Sequence, residues 1–215
     1  PPGGVALMAT KERLLAHLLS APNQWFSGQS LADQLGVSRE SVWKAIRFLQ
    51  QAGYQIDSDR KRGYCYRGTA KMLAPVIEQG LGTTKVKLVV EEELESTQTT
   101  ARQLLATGDS TVPLVVIADH QTGAYGRRGR VFYAPKATGL YMTIGIPNVT
   151  FPGQPGLLTT GVAVTVATVL KRFFPAQRLS YKWVNDLYLG HQKVVGILTE
   201  MQTDLEATSQ TSLVI

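Results

Sequence analysis

The octapeptide GAYGRRGR, residues 123–130, sets three glycines and three arginines directly after the apolar run VPLVVIADHQT. Glycines let backbone N–H groups approach phosphate oxygens closely, and arginines add charge-assisted donor forks. The stretch matches neither the GxxxxGK(S/T) spacing of a P-loop nor the GxGxxG spacing of a dinucleotide fold. By itself it is equally a solvated basic turn or a second nucleic-acid contact. Other residues narrow the choice. Lys182 and Asn185 lie near an expected strand end, where a buried lysine would hold a carboxylate or phosphate oxygen and Asn185 would orient a phosphate or its metal. Ser96, Thr97 and Gln121 offer neutral hydrogen-bond groups of the kind that hold a polar head group without charge. Each has a plainer reading, Lys182 and Asn185 as surface-turn residues, Ser96 and Thr97 as a helix cap. In combination they predict a nucleotide-using site for a small carboxylate.

A second constellation lies in the first sixty-odd residues. Ser38 opens SRESVWKAIRFLQQAG, in which Val42, Ile46 and Leu49 form an inward stripe and Gly53 ends the helix, leaving Arg39, Lys44 and Arg47 on other faces. A short helix precedes it, with Ser30 and Asp33 as its capping box and Gly36 as its left-handed terminator. The first helix is expected to start at the cap Thr10, with Leu14, Leu15, Leu18 and Leu19 on one face and Pro22 as the stop. This order is a helix-turn-helix, whose second helix enters the major groove. The following YQIDSDRKRGYCYRG predicts a β-hairpin wing with Arg60, Lys61 and Arg62 at its tip. Residues 8–67 are therefore expected to form a DNA-binding winged helix, with Ser38, Arg39, Lys44, Arg47, Arg60, Lys61 and Arg62 facing the nucleic acid. Residues 1–67 hold nine basic against five acidic side chains, which suits that partner. A protein-interaction winged helix with a merely solvated tip is the alternative.

Residues 68–84, bounded by Pro and Gly with one short apolar helix, are expected to be a linker into a second domain, 85–215. There the pattern predicts a strand over 85–90, an acidic corner at 91–93, a helix from Ser96 to Ala106, a central strand over 112–119 and a strand over 141–146. A long buried helix is expected over 157–174, then strand, turn and strand over 182–189, 190–193 and 194–200. Interleaved helices and strands that include a hairpin indicate an α+β domain with a mixed sheet.

Bulk properties fit two small domains. The 215 residues carry 22 Lys and Arg against 16 Asp and Glu, a net charge of +6 that favours anionic partners. One cysteine, Cys65, excludes an internal disulfide, and three histidines without ligand spacing give no protein-held metal site. No apolar run reaches the roughly 18 to 20 residues of a membrane span. The opening PPGGVALMAT lacks the signature of a targeting peptide and is expected to be a vector-derived remnant before Met8, so a cytoplasmic setting is the expectation.

The succession Glu95-Ser96-Thr97, Gln121-Thr122 running into GRRGR at 126–130, KWxNDLY at 182–188 and GILxE at 196–200 resembles the bifunctional biotin protein ligases that double as biotin operon repressors. The resemblance runs from about Lys11 to Ile215 and includes the winged helix. It implies a class II synthetase-like catalytic domain that activates biotin with ATP and Mg²⁺ to biotinyl-5′-AMP, then transfers biotin to a lysine of a biotin carboxyl carrier protein. It also implies operator DNA as a partner and a homodimer when the adenylate is bound. Carried over by position, Ser96, Thr97, Gln121 and Gly196 would hold biotin, and Lys182 its carboxylate and later the acyl phosphate oxygen. Gly126, Arg127, Arg128, Gly129 and Arg130 would close over the adenylate, Phe132 would stack on adenine and Asn185 would lie by the phosphates. Lys182 and Arg127 would be the catalytic pair.

Several positions depart from that pattern. Ala124-Tyr125 stand where the family has Gly-Arg, Gln98 where Asn is common, Phe132 where many have Trp, and Val184 where proline is usual. The resemblance also implies a longer chain with a small C-terminal β-barrel, so the catalytic domain is expected to be incomplete here. Two rivals follow: a non-catalytic biotin-sensing regulator, favoured by that truncation, and a lipoate or octanoate ligase, opposed by KWxNDLY and the winged helix.

Overall fold

A computed structural model describes residues 2–107, 111–149, 155–203 and 211–215. It divides into two compact units, 1–82 and 83–215.

The first unit begins with α1 (Pro2–Ser20), followed by β1 (Trp25–Phe26), α2 (Gly28–Leu35), α3 (Arg39–Gln51), β2 (Tyr54–Asp59), β3 (Gly63–Thr69) and α4 (Ala74–Leu81). Helix α1 starts eight residues before the expected cap. Thr10 is a buried residue in its body, and the Ala, Leu and Met before it are strong helix formers. Leu14, Leu15, Leu18 and Leu19 are all buried as their spacing requires. The cap of α2 is Ser27, whose Oγ accepts from the Ser30 N–H at 3.0 Å, which places Ser30 one turn inside the helix and replaces the expected capping box. Gly36 is the left-handed terminator, and Ser38 caps α3 by accepting from Ser41 N–H at 3.1 Å. Val42, Ala45, Ile46 and Leu49 of α3 seal one core with α1, α2 and the wing residues Tyr54, Ile56 and Tyr66. The wing is a three-stranded sheet in the order β1-β3-β2. Gly63 turns into β3 at φ +96°, and a Cβ there would lie 2.0 Å from the Phe26 carbonyl oxygen, so no other residue fits. Helix α4, the short helix expected between the domains, follows Leu73, which with Val76 packs on this same core.

The second unit is built on a five-stranded mixed sheet in the order β10-β11-β6-β5-β4, with β4 (Lys87–Leu94), β5 (Leu114–Gln121), β6 (Tyr141–Ile146), β10 (Glu200–Thr203) and β11 (Thr211–Val214). Strands β4 and β5 are parallel and the remaining pairs antiparallel. The expected acidic corner is strand: Glu91 and Glu93 pair with Ala118 and His120, because an edge strand leaves one side open to solvent and tolerates charge. Helix α5 (Thr97–Ala106) buries Ala101 and Leu105 on the sheet against Leu114, Val116 and Val214.

A second sheet, β7-β8-β9, is formed by β7 (Leu179–Lys182), β8 (Asp186–Leu189) and β9 (Gln192–Gly196). The strand expected over 182–189 is therefore a hairpin: Lys182 pairs with Asp186, and Trp183, Val184 and Asn185 form the turn, with a cis peptide bond between Trp183 and Val184. Helix α6 (Pro155–Phe173) is buried on one side only, contrary to expectation. Ala163 and Ala167 pack with Leu187 and Ile197, whereas Val164, Val169 and Phe173 are exposed.

Candidate functional site

Strand β5 ends at Gln121, and the parallel register of β4 brings Leu94 beside it, so the turn into α5 arrives at Gln121. Ser96 caps α5, its Oγ accepting from Thr99 N–H at 3.3 Å. Gln121 Oε1 then accepts twice from Thr97, from its N–H at 2.7 Å and from its hydroxyl at 3.1 Å. Thr143 on β6 donates to Thr97 Oγ1 at 2.9 Å and lies 3.2 Å from Gln98 Oε1, while Gln98 Nε2 reaches Leu198 O at 3.4 Å. Ser96, Thr97, Gln98 and Thr143 are all buried. Paired polar groups of this kind rigidify a buried junction. Thr143 was absent from the sequence-derived set, although the alternation in YMTIGI places it on the inward face with Tyr141 and Gly145.

The glycine-arginine loop is a small hairpin. Tyr125 bridges Val131, and Gly126 N–H donates to Arg130 O at 2.7 Å. Its tip, Arg127–Gly129, is a turn in which Arg128 and Gly129 take left-handed φ values of 60° and 67°. Arg127, Arg128 and Arg130 are exposed. Beyond the loop, Ala124, Ala134 and Tyr141 are buried, with Phe132 half-buried against them. Tyr125 is half-buried, and its hydroxyl donates to Glu200 Oε2 at 3.2 Å. Burial, and secondarily the charge of Glu200, hold its phenol above the ordinary tyrosine range while Arg102 acts in the opposite sense.

Arg127 shares a cleft of about 340 Å³ with Leu158, Thr159, Val184, Ile197, Leu198 and Thr199. Three sequence-distant motifs therefore meet: the arginine loop, the KWVND turn and the GIL segment. Asn185 joins the last two, its Nδ2 donating to Ile197 O at 3.1 Å and its carbonyl accepting from Ile197 N–H at 2.9 Å. Gly196 lies beside Phe132: a Cβ would stand 3.0 Å from the ring and 3.0 Å from Lys193 Nζ. Lys182 departs from expectation. It is exposed at the end of β7, not buried, with its ammonium 5.8 Å from the Tyr188 ring. Neither it nor Ser96, Thr97 and Gln121 lines the cleft; among the described residues the bond from Gln98 to Leu198 O connects the buried network to the cleft. Among the described residues no group of three His, Cys, Asp or Glu side chains could hold a metal.

In the first unit, Arg39, Lys44, Arg47, Arg60, Lys61 and Arg62 are exposed, as is Ser38 at the start of α3. Three have intramolecular side-chain partners: Lys44 pairs with Glu40 at 2.7 Å, Ser38 Oγ meets Ser41 Oγ at 2.9 Å, and Arg62 Nε lies 3.8 Å from Asp59 Oδ1. Asp59 Oδ1 accepts from the N–H groups of Lys61 and Arg62, at 2.9 and 2.8 Å, and so shapes the wing tip. These bonds hold the Asp59 carboxyl below its usual range. Arg62 stacks 4.0 Å over the Trp25 ring, a contact that the sequence alone did not suggest.

Comparison with known proteins extends over both units. Residues 10–65 match an HTH domain, and residues 90–215 match the Biotin/lipoate A/B protein ligase family. The chain is 34% identical over 203 residues to the bifunctional ligase/repressor BirA of Bacillus subtilis, covering 92% of this chain and 62% of that protein. It is 28% identical over 185 residues to the BirA of Escherichia coli, covering 85% of this chain and 56% of that protein. A solved biotin acetyl coenzyme A carboxylase synthetase from Helicobacter pylori, crystallised with biotinylated ATP, aligns at a TM-score of 0.48 and 22% identity, over 60% of this chain and 59% of that chain. The chain thus spans about three fifths of the length of these BirA relatives. No helix among the described residues is long and apolar enough to cross a membrane. With the ligase match occupying more than half of the sequence and containing every motif of the cleft, the chain belongs to the biotin/lipoate A/B protein ligase family.

Proposed function

We propose that this chain is the DNA-binding and substrate-activating part of a cytoplasmic biotin protein ligase that also represses transcription in response to biotin. The observation that carries the ligase reading is the junction at Leu198, where the Ser96–Thr97–Gln98–Thr143–Gln121 network meets the cleft bearing Arg127. Gln121 spends its Oε1 on Thr97, which leaves its Nε2 donors, and the Ser96 hydroxyl proton, for the ureido carbonyl of biotin. Gly196, which the resemblance assigns to biotin, has the Phe132 ring packed so closely against it that a Cβ would stand 3.0 Å away, so we place it on the adenine side of the site.

In activation, a biotin carboxylate oxygen attacks the α-phosphorus of ATP and the bond to pyrophosphate breaks. Two anions approach, so Lys182 and the arginines at 127, 128 and 130 offset repulsion and stabilise the developing charge. Closure of the loop then keeps water from the mixed anhydride. In transfer, a lysine amine of the biotin carboxyl carrier protein attacks the acyl carbon and AMP leaves. Mg²⁺ would enter as part of the nucleotide complex, held by phosphate and water oxygens, so the lack of a carboxylate cluster among the described residues is no obstacle, and the side-chain oxygen of Asn185, whose amide N–H is given to Ile197 O, would be the protein group offered to it. The winged helix would bind operator DNA through Ser38, Arg39, Lys44, Arg47 and the wing tip, with the adenylate-bound form a homodimer.

The test is incubation with Mg·ATP and biotin, lipoate or octanoate, with acyl-adenylate detected by mass spectrometry. Biotinyl-AMP alone supports the reading. Lipoyl- or octanoyl-AMP in its place would make the protein a ligase for those acids, and biotin binding without any adenylate would make it a sensor.

A further inference from the structure

Tyr125 stands at the base of the arginine loop but belongs to none of the groups assigned to biotin or nucleotide. Two sets of contacts meet there. Within the loop, the Tyr125–Val131 bridge and the bond from Gly126 N–H to Arg130 O close a hairpin on itself. The foot of the loop is fixed by backbone bonds, Thr122 N–H to Leu94 O at 3.0 Å and Gly123 N–H to Glu95 O at 2.8 Å, and neither reaches Tyr125. What holds the next residue toward the tip is a side chain: Tyr125 Oη donates to Glu200 Oε2 at 3.2 Å, and Glu200 belongs to β10. The same carboxylate oxygen lies 3.8 Å from Arg102 Nη1 of α5, and the Arg102 guanidinium carbon lies 5.8 Å from the Tyr125 ring centroid. Loop, sheet and helix thus converge on one oxygen.

We propose that Tyr125 is a positioning residue of the arginine loop, its hydroxyl held by Glu200 with Arg102 behind it, so that the stem from which Arg127, Arg128 and Arg130 project has one placement. The chemistry of the pair suits this purpose. A carboxylate accepting from a phenol makes a charge-assisted bond, stronger than a neutral one. The raised phenol pKa keeps the proton on Tyr125, where it is needed for donation. Arg102 balances the charge of Glu200 without competing as an acceptor, since a guanidinium only donates. The bond anchors the stem and leaves the glycine-flanked tip to move. Its value to adenylate formation rests on the ligase reading: a loop pre-placed at its base loses less entropy on closing. The latch itself stands or falls without that reading.

Limited trypsin digestion of the ligand-free protein tests it. Cleavage after Arg127, Arg128 and Arg130 is quantified by mass spectrometry against cleavage after Arg60, Lys61 and Arg62 in the same molecules, with calorimetry checking that each variant is folded. Cleavage of a transiently opened segment follows its open population. Tyr125→Phe keeps the ring and is expected to raise the loop-to-wing ratio about tenfold or more, the loss of one hydrogen bond to a charged group. Glu200→Ala is expected to do the same, and the double variant to exceed either single by less than about twofold, because both remove one interaction. Glu200→Gln, which retains an acceptor oxygen but not its charge, is expected to fall between wild type and Glu200→Ala. The latch is wrong if Tyr125→Phe leaves the ratio unchanged, if the two single effects multiply, or if Glu200→Gln opens the loop as far as Glu200→Ala. Adding biotin and Mg·ATP to the wild type addresses the ligase reading separately. An unprotected loop there counts against that reading, while the ligand-free ratios still decide the latch.

Discussion

Gln121 Oε1 accepts two hydrogen bonds from Thr97, one from its backbone N–H at 2.7 Å and one from its hydroxyl at 3.1 Å. Residues 24 positions apart in sequence are thereby fixed on each other at the meeting point of β5 and α5. The side chain of Thr97 is buried, so neither donor has water as a substitute. Gln121→Met, close in volume, is expected to cost about 1–3 kcal/mol in unfolding free energy, the desolvation of unanswered donors. Thr143→Val is expected to cost about 1–2 kcal/mol, because it removes the donor to Thr97 Oγ1 and Gln98 Oε1 and leaves buried acceptors unanswered. Urea denaturation measures both. Biotin affinity should fall at least tenfold in Gln121→Met, because the Nε2 donors leave with the amide.

At Gly196 the ring of Phe132 and the end of Lys193 are both 3.0 Å from where a methyl group would sit. Lys193 is flexible, though its ammonium is held 2.8 Å from Asp186 Oδ1, so the ring must yield by a few tenths of an ångström. Gly196→Ala is expected to shift the melting temperature by only a few degrees, within the roughly 1 kcal/mol that a small overpacking costs at a yielding site. Its effect should fall on the nucleotide: ATP-dependent tightening of biotin binding is expected to drop about tenfold with biotin alone unaffected. Isothermal calorimetry separates the two.

The wing tip presents Arg62 pre-stacked on Trp25, which leaves the in-plane N–H donors of its guanidinium facing outward for a phosphate. Each phosphate neutralised contributes a slope of about −0.9 to the dependence of log K on log salt. Replacing Arg60, Lys61 and Arg62 by Gln should therefore flatten the slope for duplex DNA by about 2 to 3, measured by fluorescence anisotropy. Trp25→Ala should flatten it by about 1 and add nothing in the triple variant. Arg47→Ala on α3 should instead cost about 1–3 kcal/mol on the preferred sequence only, the signature of base reading.

Three tyrosines set an alkaline limit on stability. Burial raises the phenols of Tyr54 and Tyr66, with the neighbouring Tyr66 adding to Tyr54, and burial with Glu200 raises Tyr125. The folded state thus favours the neutral form more than the unfolded chain does, and above the unfolded value of about 10 it binds more protons. These contributions are complete below that pH and are lost as pH rises through the folded values. Urea midpoints should be flat from pH 7 to 9 and fall above about pH 10, and Tyr66→Phe should reduce the fall.

The winged helix was legible because its signals are local. A cap at Ser38, a stripe at Val42, Ile46 and Leu49, Pro22 after the first helix and a glycine after each of the next two state the elements without reference to the rest of the chain. The boundaries missed there, Ser27 in place of Ser30 and a longer α1, are terminal details decided by which serine meets which N–H. In the second unit the errors have a tertiary origin. Glu91 and Glu93 are strand residues only because β5 lies alongside, and pairing overrides the charge that argued for a corner. Lys182 looked like a buried ligand-holder because it lies near an expected strand end, yet Trp183, Val184 and Asn185 turn the chain there into a hairpin that leaves the lysine exposed. Helix α6 conceals its face because the contacts are made by Ala163 and Ala167, whose small size carries no periodic signal. The site motifs were visible from residue type and order, whereas the Thr97–Thr143 and Tyr125–Glu200 contacts, 46 and 75 positions apart, depend on the assembled sheet.

The most direct test of a biotin-activating site is calorimetric titration of this chain with biotin, lipoate and octanoate, each with and without Mg·ATP. The account predicts selective binding of biotin that tightens when Mg·ATP is present, and loss of that tightening in Lys182→Ala. Equal binding of all three acids, or biotin binding indifferent to both Mg·ATP and Lys182→Ala, would contradict it.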